Sequence, residues 1–385
     1  MAAAFSDGES RILSLAHSDD IDSTIGCMRE LGAEIFEDGS VLTVKGISAK
    51  ENCLLGKSLR LDCCESGSTL RFLIPVAAVL SGDARFTAHG RLPQRPQKPY
   101  EEIFDFLGGE FVRNEGGITL KAKLPPCVYK LRGDISSQFF TGLMYALPML
   151  SGDSEIISTT SLESSAYIDM TIDAMRLAGV EVKALTDGHW LISGNQSYKP
   201  FEKTVEGDWS QAAFWLSANF IGADLDINGL SDESLQGDRV IADMLDRMRE
   251  DGEVTIDLSE CPDLLPPAAA AAALRKEGSV THFVGAKRLR IKESDRIAST
   301  SAALTAMGAK TIEGEDFLTV FGAGKLQGGC VIDSQNDHRI AMMSAIAAIG
   351  CKEPVTVMGA ECVKKSYPDF WEVYSSLGGL ITKGE

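Results

Sequence analysis

Met28-Arg-Glu-Leu-Gly-Ala-Glu-Ile-Phe36, followed closely by Val41-Leu-Thr-Val44, is the stretch from which the fold can be read. An amphipathic run meets a glycine, crosses it and enters two short apolar segments. This is the pattern of a helix closed by a left-handed glycine and followed by a β-hairpin, because glycine alone reaches that backbone region without a Cβ penalty. The pattern returns at Phe106-Leu-Gly-Gly-Glu-Phe-Val112 before Ile118-Thr-Leu120, and at Met175-Arg-Leu-Ala-Gly-Val-Glu-Val182 before His189-Trp-Leu-Ile192. It recurs at Ala306-Met-Gly-Ala-Lys-Thr-Ile312 before Phe317-Leu-Thr-Val320. A weaker copy, Met248-Arg-Glu-Asp-Gly-Glu-Val-Thr-Ile256, and a stub, Ser376-Leu-Gly-Gly-Leu-Ile381, complete the series. The glycines at 32, 108, 179, 252, 308 and 378 stand 76, 71, 73, 56 and 70 residues apart. One such element is ordinary in any α/β chain, but six at similar spacing read as repetition. A helix–strand–strand unit cannot bury both its faces alone, so the copies must pack on one another. Three plus three gives two domains, 1–205 and 206–385, joined near Lys199–Gly207, where a proline and polar residues interrupt the pattern.

Composition bounds the function. With 55 acidic and 37 basic residues the formal charge is −18, a poor match to sequence-independent nucleic-acid binding. The chain is 44% apolar and 24% charged, as expected of a folded protein. Its longest apolar stretches, Phe72–Leu80 and Ile340–Ile349, fall short of the ~18–20 residues that span a bilayer, and no basic, apolar leader opens the sequence. Nine cysteines without C-x-x-C spacing read as thiols of a reducing cytosol. The five histidines show no metal-binding spacing, so no metal is expected. Gly56-Lys-Ser58 is not a P-loop, because Glu51 stands where its first glycine belongs, and Gly322-Ala-Gly324 reads as turns. The run Ala268–Ala273 behind Pro266-Pro267 is a tightly packed helix.

Helix entries carry the chemical signal. Ser66-Gly-Ser-Thr-Leu-Arg71, Gly133-Asp-Ile-Ser-Ser-Gln138, Gly207-Asp-Trp-Ser-Gln211 and Asn336-Asp-His-Arg339 each offer N-capping side chains. Capping does not ask for a cation in the first turn, where it opposes the helix dipole, yet Arg71, Arg296 and Arg339 stand there or close by. An anionic small molecule between them would explain the placement. Two basic segments stand out against the acidic background. Arg288–Arg296 alternates like a strand leading into a helix, and Gly90–Pro99 is a proline-rich loop.

Ser66-Gly-Ser-Thr-Leu-Arg71, Gln94-Arg-Pro96, Ser136-Ser-Gln138, Glu163-Ser-Ser-Ala-Tyr-Ile-Asp169, Pro262-Asp263, Arg290-Ile-Lys-Glu-Ser-Asp-Arg296, Asp337-His-Arg339 and Lys365-Ser-Tyr-Pro-Asp369 come one after another along essentially the whole chain. In that order they resemble the 5-enolpyruvylshikimate-3-phosphate synthase family. The resemblance implies the α/β two-domain enolpyruvyl transferase fold, an inside-out α/β barrel with three βαβαββ repeats per domain. It also implies transfer of the enolpyruvyl group of phosphoenolpyruvate to the 5-hydroxyl of shikimate 3-phosphate, in aromatic amino-acid biosynthesis, without a cofactor. By resemblance, Ser136, Ser137, Gln138, Ser164, Tyr167 and Lys292 hold shikimate 3-phosphate. Gly67, Arg95, Gln138, Arg296, Arg339 and Lys365 face phosphoenolpyruvate. Asp263 is the implied base for the attacking hydroxyl, and Glu293 with Lys365 handles the methylene proton. Ser165 stands where a basic residue is common in the family.

The chain begins after the family's N-terminal Gly-Ser-Lys-Ser segment, and Ala3-Ala-Phe-Ser-Asp-Gly8 looks like the end of the family's first helix. The resemblance therefore implies weak turnover for the chain as it stands, since a lysine and an arginine serving the substrates would be absent. The alternatives are UDP-N-acetylglucosamine enolpyruvyl transferase, whose loop cysteine has no counterpart in His89–Gln94, and a non-catalytic ligand-binding relative. The expected partners are the two small substrates, with no nucleic acid and no membrane, and the expected state is a cytoplasmic monomer.

Overall fold

Glycines 32, 108 and 179 each close a helix with positive φ (+105°, +69° and +71°), and a hairpin comes after each one. The computed structural model describes residues 1–47 and 54–382; Glu51 and Cys53 lie outside them. Contacts divide the chain after Val205.

The first unit opens with a 3-10 turn at Ala2–Phe5, then β1 (Glu9–Leu13), α1 (Asp19–Glu30), β2 (Glu34–Asp38) and β3 (Val41–Lys45). Next come β4 (Leu59–Asp62), α2 (Gly67–Leu80), β5 (Asp83–Thr87), α3 (Lys98–Phe106), β6 (Glu110–Asn114) and β7 (Gly117–Lys121). The same order repeats in β8 (Val128–Leu131), α4 (Gln138–Ala146), β9 (Ser154–Ser158), α5 (Ser165–Leu177), β10 (Lys183–Thr186) and β11 (His189–Ile192). A last short strand, β12 (Glu202–Thr204), closes the unit.

The sheets β4-β5-β7-β6 and β8-β9-β11-β10 share one topology, a parallel first pair followed by antiparallel strands. A parallel pair requires a crossover, which the helix supplies. The sheet around β1 has the same order, β12-β1-β3-β2, with its first strand brought back from the far end of the unit. Arg11 pairs in register with Glu202.

The second unit contains α6 (Trp209–Phe220), α7 (Ile241–Met248), β13 (Glu253–Asp257), α8 (Leu265–Ala273), β14 (Val280–Val284), α9 (Arg296–Ala306), β15 (Lys310–Glu313) and β16 (Leu318–Phe321). It ends with β17 (Val331–Asp333), α10 (His338–Ala348), β18 (Thr356–Met358) and α11 (Phe370–Ser376). The order β13-β14-β16-β15 repeats the topology, and β17–β18 is a parallel pair.

Two sequence expectations are corrected by the strand pairing. The copy at Gly252 is out of frame: its strand, β13, opens a repeat and pairs parallel with β14 instead of turning back as a hairpin. Beyond Gly378 there is no strand among the described residues. The repeat is nonetheless plain in the packing. One helix per repeat is buried on nearly every face, as in α4, α8 and α10, while its neighbour is amphipathic and lies outside. The alanines of α8 leave backbones close enough for α6 and α10 to pack against it and each other. Each unit has its own apolar core. No helix among the described residues is long and apolar enough to cross a membrane.

Candidate active site

The sequence-marked residues gather at helix starts, where backbone N–H groups and the helix dipole favour negative charge. In the first unit Ser66 caps α2 by accepting from the Thr69 N–H at 3.3 Å, and Gly67 is the first helical residue. A Cβ on Gly67 would lie 2.7 Å from Nη1 of Arg95, so glycine permits the guanidinium to lie over the helix start. Arg71, one turn along, is buried. It donates to Oε1 of Gln138 at 2.7 Å and to the Pro96 carbonyl at 3.1 Å, and stacks over Phe139. The start of α2 is thereby tied to the start of α4 and to the Arg95–Pro96 loop.

At α4, Ser136 accepts from the Gln138 N–H at 3.3 Å, and Ser137 occupies the cap position without using its hydroxyl to cap. The loops entering α4 and α5 are joined by the Glu163 N–H donating to the Gly133 carbonyl. Ser164 sits just before α5 with φ +58°, a left-handed conformation that costs a non-glycine residue energy and marks a constrained position. Tyr167, in the first turn of α5, is half-buried.

The second unit brings its charged candidates into one network. Arg296, the first residue of α9, is 1% exposed. Its Nε donates to Asp337 Oδ2 at 2.9 Å, Nη1 to Asp263 Oδ1 at 2.7 Å, and Nη2 to Glu293 at 2.5 Å and Asp337 Oδ1 at 3.1 Å. Lys292 lies 3.0 Å from Asp263, and Lys365 lies 3.4 Å from Glu293. Arg339 donates to the Asp263 carbonyl at 3.2 Å and to the Ser210 hydroxyl at 2.7 Å.

The electrostatics follow from this geometry. Burial alone would push the Asp263 carboxyl up, but Lys292, Arg339 and Arg296 outweigh it and hold the group far below the usual carboxylate range. Burial likewise opposes charge on Arg296, and Asp337, Glu293 and Asp263 overcome it, so the guanidinium stays charged. Asp337 is also held low, by Arg296 against burial. Asp337 does not offset burial at His338: its imidazole is pulled down to about 3, and its Nδ1 has no hydrogen-bond partner among the described residues.

Arg288–Ile291 does not form a strand. Lys287–Ile291 is a 3-10 helix, and the alternation reflects its tight turn, with Leu289 buried and Arg288 and Arg290 reaching backbone carbonyls. The first-turn cation Arg296 has protein carboxylates as its nearest partners, so an external anion is not required to explain its position. Asp337, Ser294 and Ser210 stand inside motifs marked in the sequence, but the sequence assigned none of them a contact in the site. Asp337 does three things: it caps α10, receives Arg296, and accepts from the Ser294 hydroxyl at 2.9 Å. Its N-capping type was visible, but its second partner comes from 41 residues away.

This arrangement offers carboxylates for proton transfer beside cations able to hold phosphate and carboxylate groups. A family model described as EPSP synthase (3-phosphoshikimate 1-carboxyvinyltransferase) matches residues 1–374. A 3-phosphoshikimate 1-carboxyvinyltransferase of Clostridium botulinum (strain Alaska E43 / Type E3) is 43% identical over 400 residues, covering 98% of this chain and 92% of its own. That of Clostridioides difficile (strain 630) is 41% identical over 404 residues, covering 99% and 92%. Among solved structures, EPSP synthase from Acinetobacter baumannii matches with TM-score 0.80 at 22% identity, covering 99% of this chain and 93% of its own. The enolpyruvyl transferase NikO from Streptomyces tendae matches with TM-score 0.72 at 18% identity, covering 99% and 92%. These last two are likenesses of fold.

Proposed function

The chain belongs to the EPSP synthase family, and from that footing we propose how its residues carry out the family's reaction. Phosphoenolpyruvate gives its enolpyruvyl group to the 5-hydroxyl of shikimate 3-phosphate, and inorganic phosphate leaves. Asp263 takes the proton of the attacking hydroxyl as its oxygen bonds to C2 of phosphoenolpyruvate. Glu293, paired with Lys365, gives a proton to the C3 methylene, which completes a tetrahedral adduct. Loss of the C3 proton to the same carboxylate restores the double bond while the C2–O bond to phosphate breaks, and the leaving phosphate takes the proton held on Asp263. Every step is a proton transfer or a carbon–oxygen bond change, so no cofactor is called for.

The observation that carries the roles is the pairing of each carboxylate with cations. Asp263 stands beside Lys292, Arg296 and Arg339, and Glu293 beside Arg296 and Lys365. The cations beside these carboxylates are also the groups that would stabilise the charge of the adduct. Ser136, Ser137, Gln138, Ser164, Tyr167 and Lys292 are assigned to shikimate 3-phosphate. Gly67, Arg95, Gln138, Arg296, Arg339 and Lys365 are assigned to phosphoenolpyruvate. We place the protein in the cytoplasm as a monomer acting on these two small molecules.

Phosphate release tests the reading. Release should require both phosphoenolpyruvate and shikimate 3-phosphate. Release with UDP-N-acetylglucosamine in place of shikimate 3-phosphate would favour the sister activity, and binding of both substrates without release would favour a non-catalytic role.

A further inference from the structure

The start of α6 contains no residue assigned to a substrate, yet it touches Arg339 and the backbone next to Lys365. Asp208 caps the helix, accepting from the N–H groups of Ser210 at 2.8 Å and Gln211 at 3.2 Å, which fixes the first turn. From that turn the Ser210 hydroxyl accepts from Nη2 of Arg339 at 2.7 Å. The neighbouring Gln211 donates through Nε2 to the carbonyl of Ser366 at 2.7 Å, one residue beyond Lys365. Arg339 and Lys365 come from α10 and from the 3-10 segment Ala360–Lys365, so two separate pieces of chain are referenced to one rigid turn. The Ser210 hydroxyl meets Arg339 and the Gln211 amide meets the backbone next to Lys365, so both contacts are made by neutral groups. They add orientation without adding negative charge to that which Asp263 and Glu293 already bring.

We propose that Ser210 and Gln211 are positioning residues for phosphoenolpyruvate: Ser210 sets the plane of the Arg339 guanidinium, and Gln211 sets the segment that carries Lys365. The proposal rests on the assignment of Arg339 and Lys365 to that substrate. It adds the first turn of α6 to the specificity-determining parts of the site.

Ser210→Ala, Ser210→Thr and Gln211→Leu test it, alone and with Ser210→Ala joined to Gln211→Leu. Loss of the hydrogen bond between Ser210 and the charged Arg339 is worth about a tenfold change, and loss of the neutral one between Gln211 and the Ser366 carbonyl about three- to tenfold. Ser210→Ala should raise the KM for phosphoenolpyruvate about tenfold and Gln211→Leu about three- to tenfold, each changing kcat less than about threefold. The double variant should lose more than either single variant, with coupling between the two because both residues stand on one turn. Ser210→Thr keeps the hydroxyl and should stay within about threefold of the wild type. Affinity for shikimate 3-phosphate should not change in any variant.

Calorimetric binding of inorganic phosphate provides a readout that does not need turnover. If the wild type binds phosphate in a Ser210-dependent way but releases none from the substrates, the functional reading falls and the positioning role stands. Several results overturn the positioning role: unchanged KM in Ser210→Ala, equal loss in the Ala and Thr variants, equal loss of affinity for both substrates, or no phosphate binding together with no turnover.

Discussion

Replacing Arg296 by lysine keeps the charge and removes the geometry, which makes it a sharp test of the network. Arg296 donates four hydrogen bonds to three carboxylates, and all of its donors lie on one rigid plane. An ammonium on a shorter, tetrahedral head can satisfy one or two of these carboxylates. At least two charge-assisted bonds are then lost, each worth about 1.5–3 kcal/mol. The simple sum is about 3–6 kcal/mol, and breaking a buried ion pair typically costs about 3–5 kcal/mol, so the two routes agree. Asp337 makes the cost hard to escape: it is 0% exposed, and water cannot replace what lysine fails to supply. For a folding unit of about 180 residues, a loss near 4 kcal/mol lowers the melting temperature by about 8–16 °C. Three of the four tryptophans, at 209, 215 and 371, lie in the second unit, so tryptophan fluorescence follows its unfolding. A double-mutant cycle with Asp337→Asn should show a coupling of at least about 1 kcal/mol. A fall of less than about 2 °C in Arg296→Lys, with no coupling to Asp337, would refute the claim that Arg296 holds this site together.

Asp263→Asn should leave shikimate 3-phosphate affinity intact and lower turnover about 10²-fold or more; near-normal turnover removes Asp263 from the base role. Gly67→Ala should fold normally and raise the KM for phosphoenolpyruvate, because the new methyl meets Arg95 at 2.7 Å and the flexible guanidinium must move away. An unchanged KM would mean that Arg95 does not serve that substrate. For His338 the folded imidazole, held near 3, stays neutral, while the unfolded chain gains a proton below its ordinary value of about 6.5. The unfolded state therefore binds more protons as pH falls, and stability should drop by about 2 kcal/mol between pH 7 and pH 5. Denaturant unfolding of His338→Gln should lack that drop; an identical pH dependence in both proteins would show that His338 titrates normally.

The fold was legible where a physical constraint acts on single residues. Gly32, Gly108 and Gly179 are needed because the chain turns there with positive φ, and their spacing carried the repeat into view. Gly252 also has positive φ, at +91°, yet the strand after it pairs parallel with β14, because a local turn does not decide which strand the next segment will join. The alternation in Arg288–Arg296 was misleading for a similar reason: a 3-10 turn can also alternate buried and exposed side chains over a few residues. Asp263, Glu293 and Arg296 were marked by type and motif, but their mutual pairing is tertiary. The Arg71–Gln138 bond spans 67 residues and the Arg339–Ser210 bond spans 129, distances over which no periodicity speaks.

The return of β12 to the side of β1 has a consequence for how the protein is made. Arg11 must find Glu202 across 191 residues, whereas the strands of a hairpin are joined by a few. Loop closure over that length costs on the order of 4 kcal/mol more than closing a hairpin, and the gain comes only when the last strand docks. During synthesis at about 5–20 residues per second, β1 would wait roughly 10–40 s with one edge bare after leaving the ribosome. The β4 and β8 sheets can assemble in that interval from contiguous chain, but the first sheet cannot. Completion of the first unit is therefore a late event that depends on three residues, Glu202–Thr204, and substitutions there should lower the yield of folded protein from cells more than they lower the stability of protein already folded.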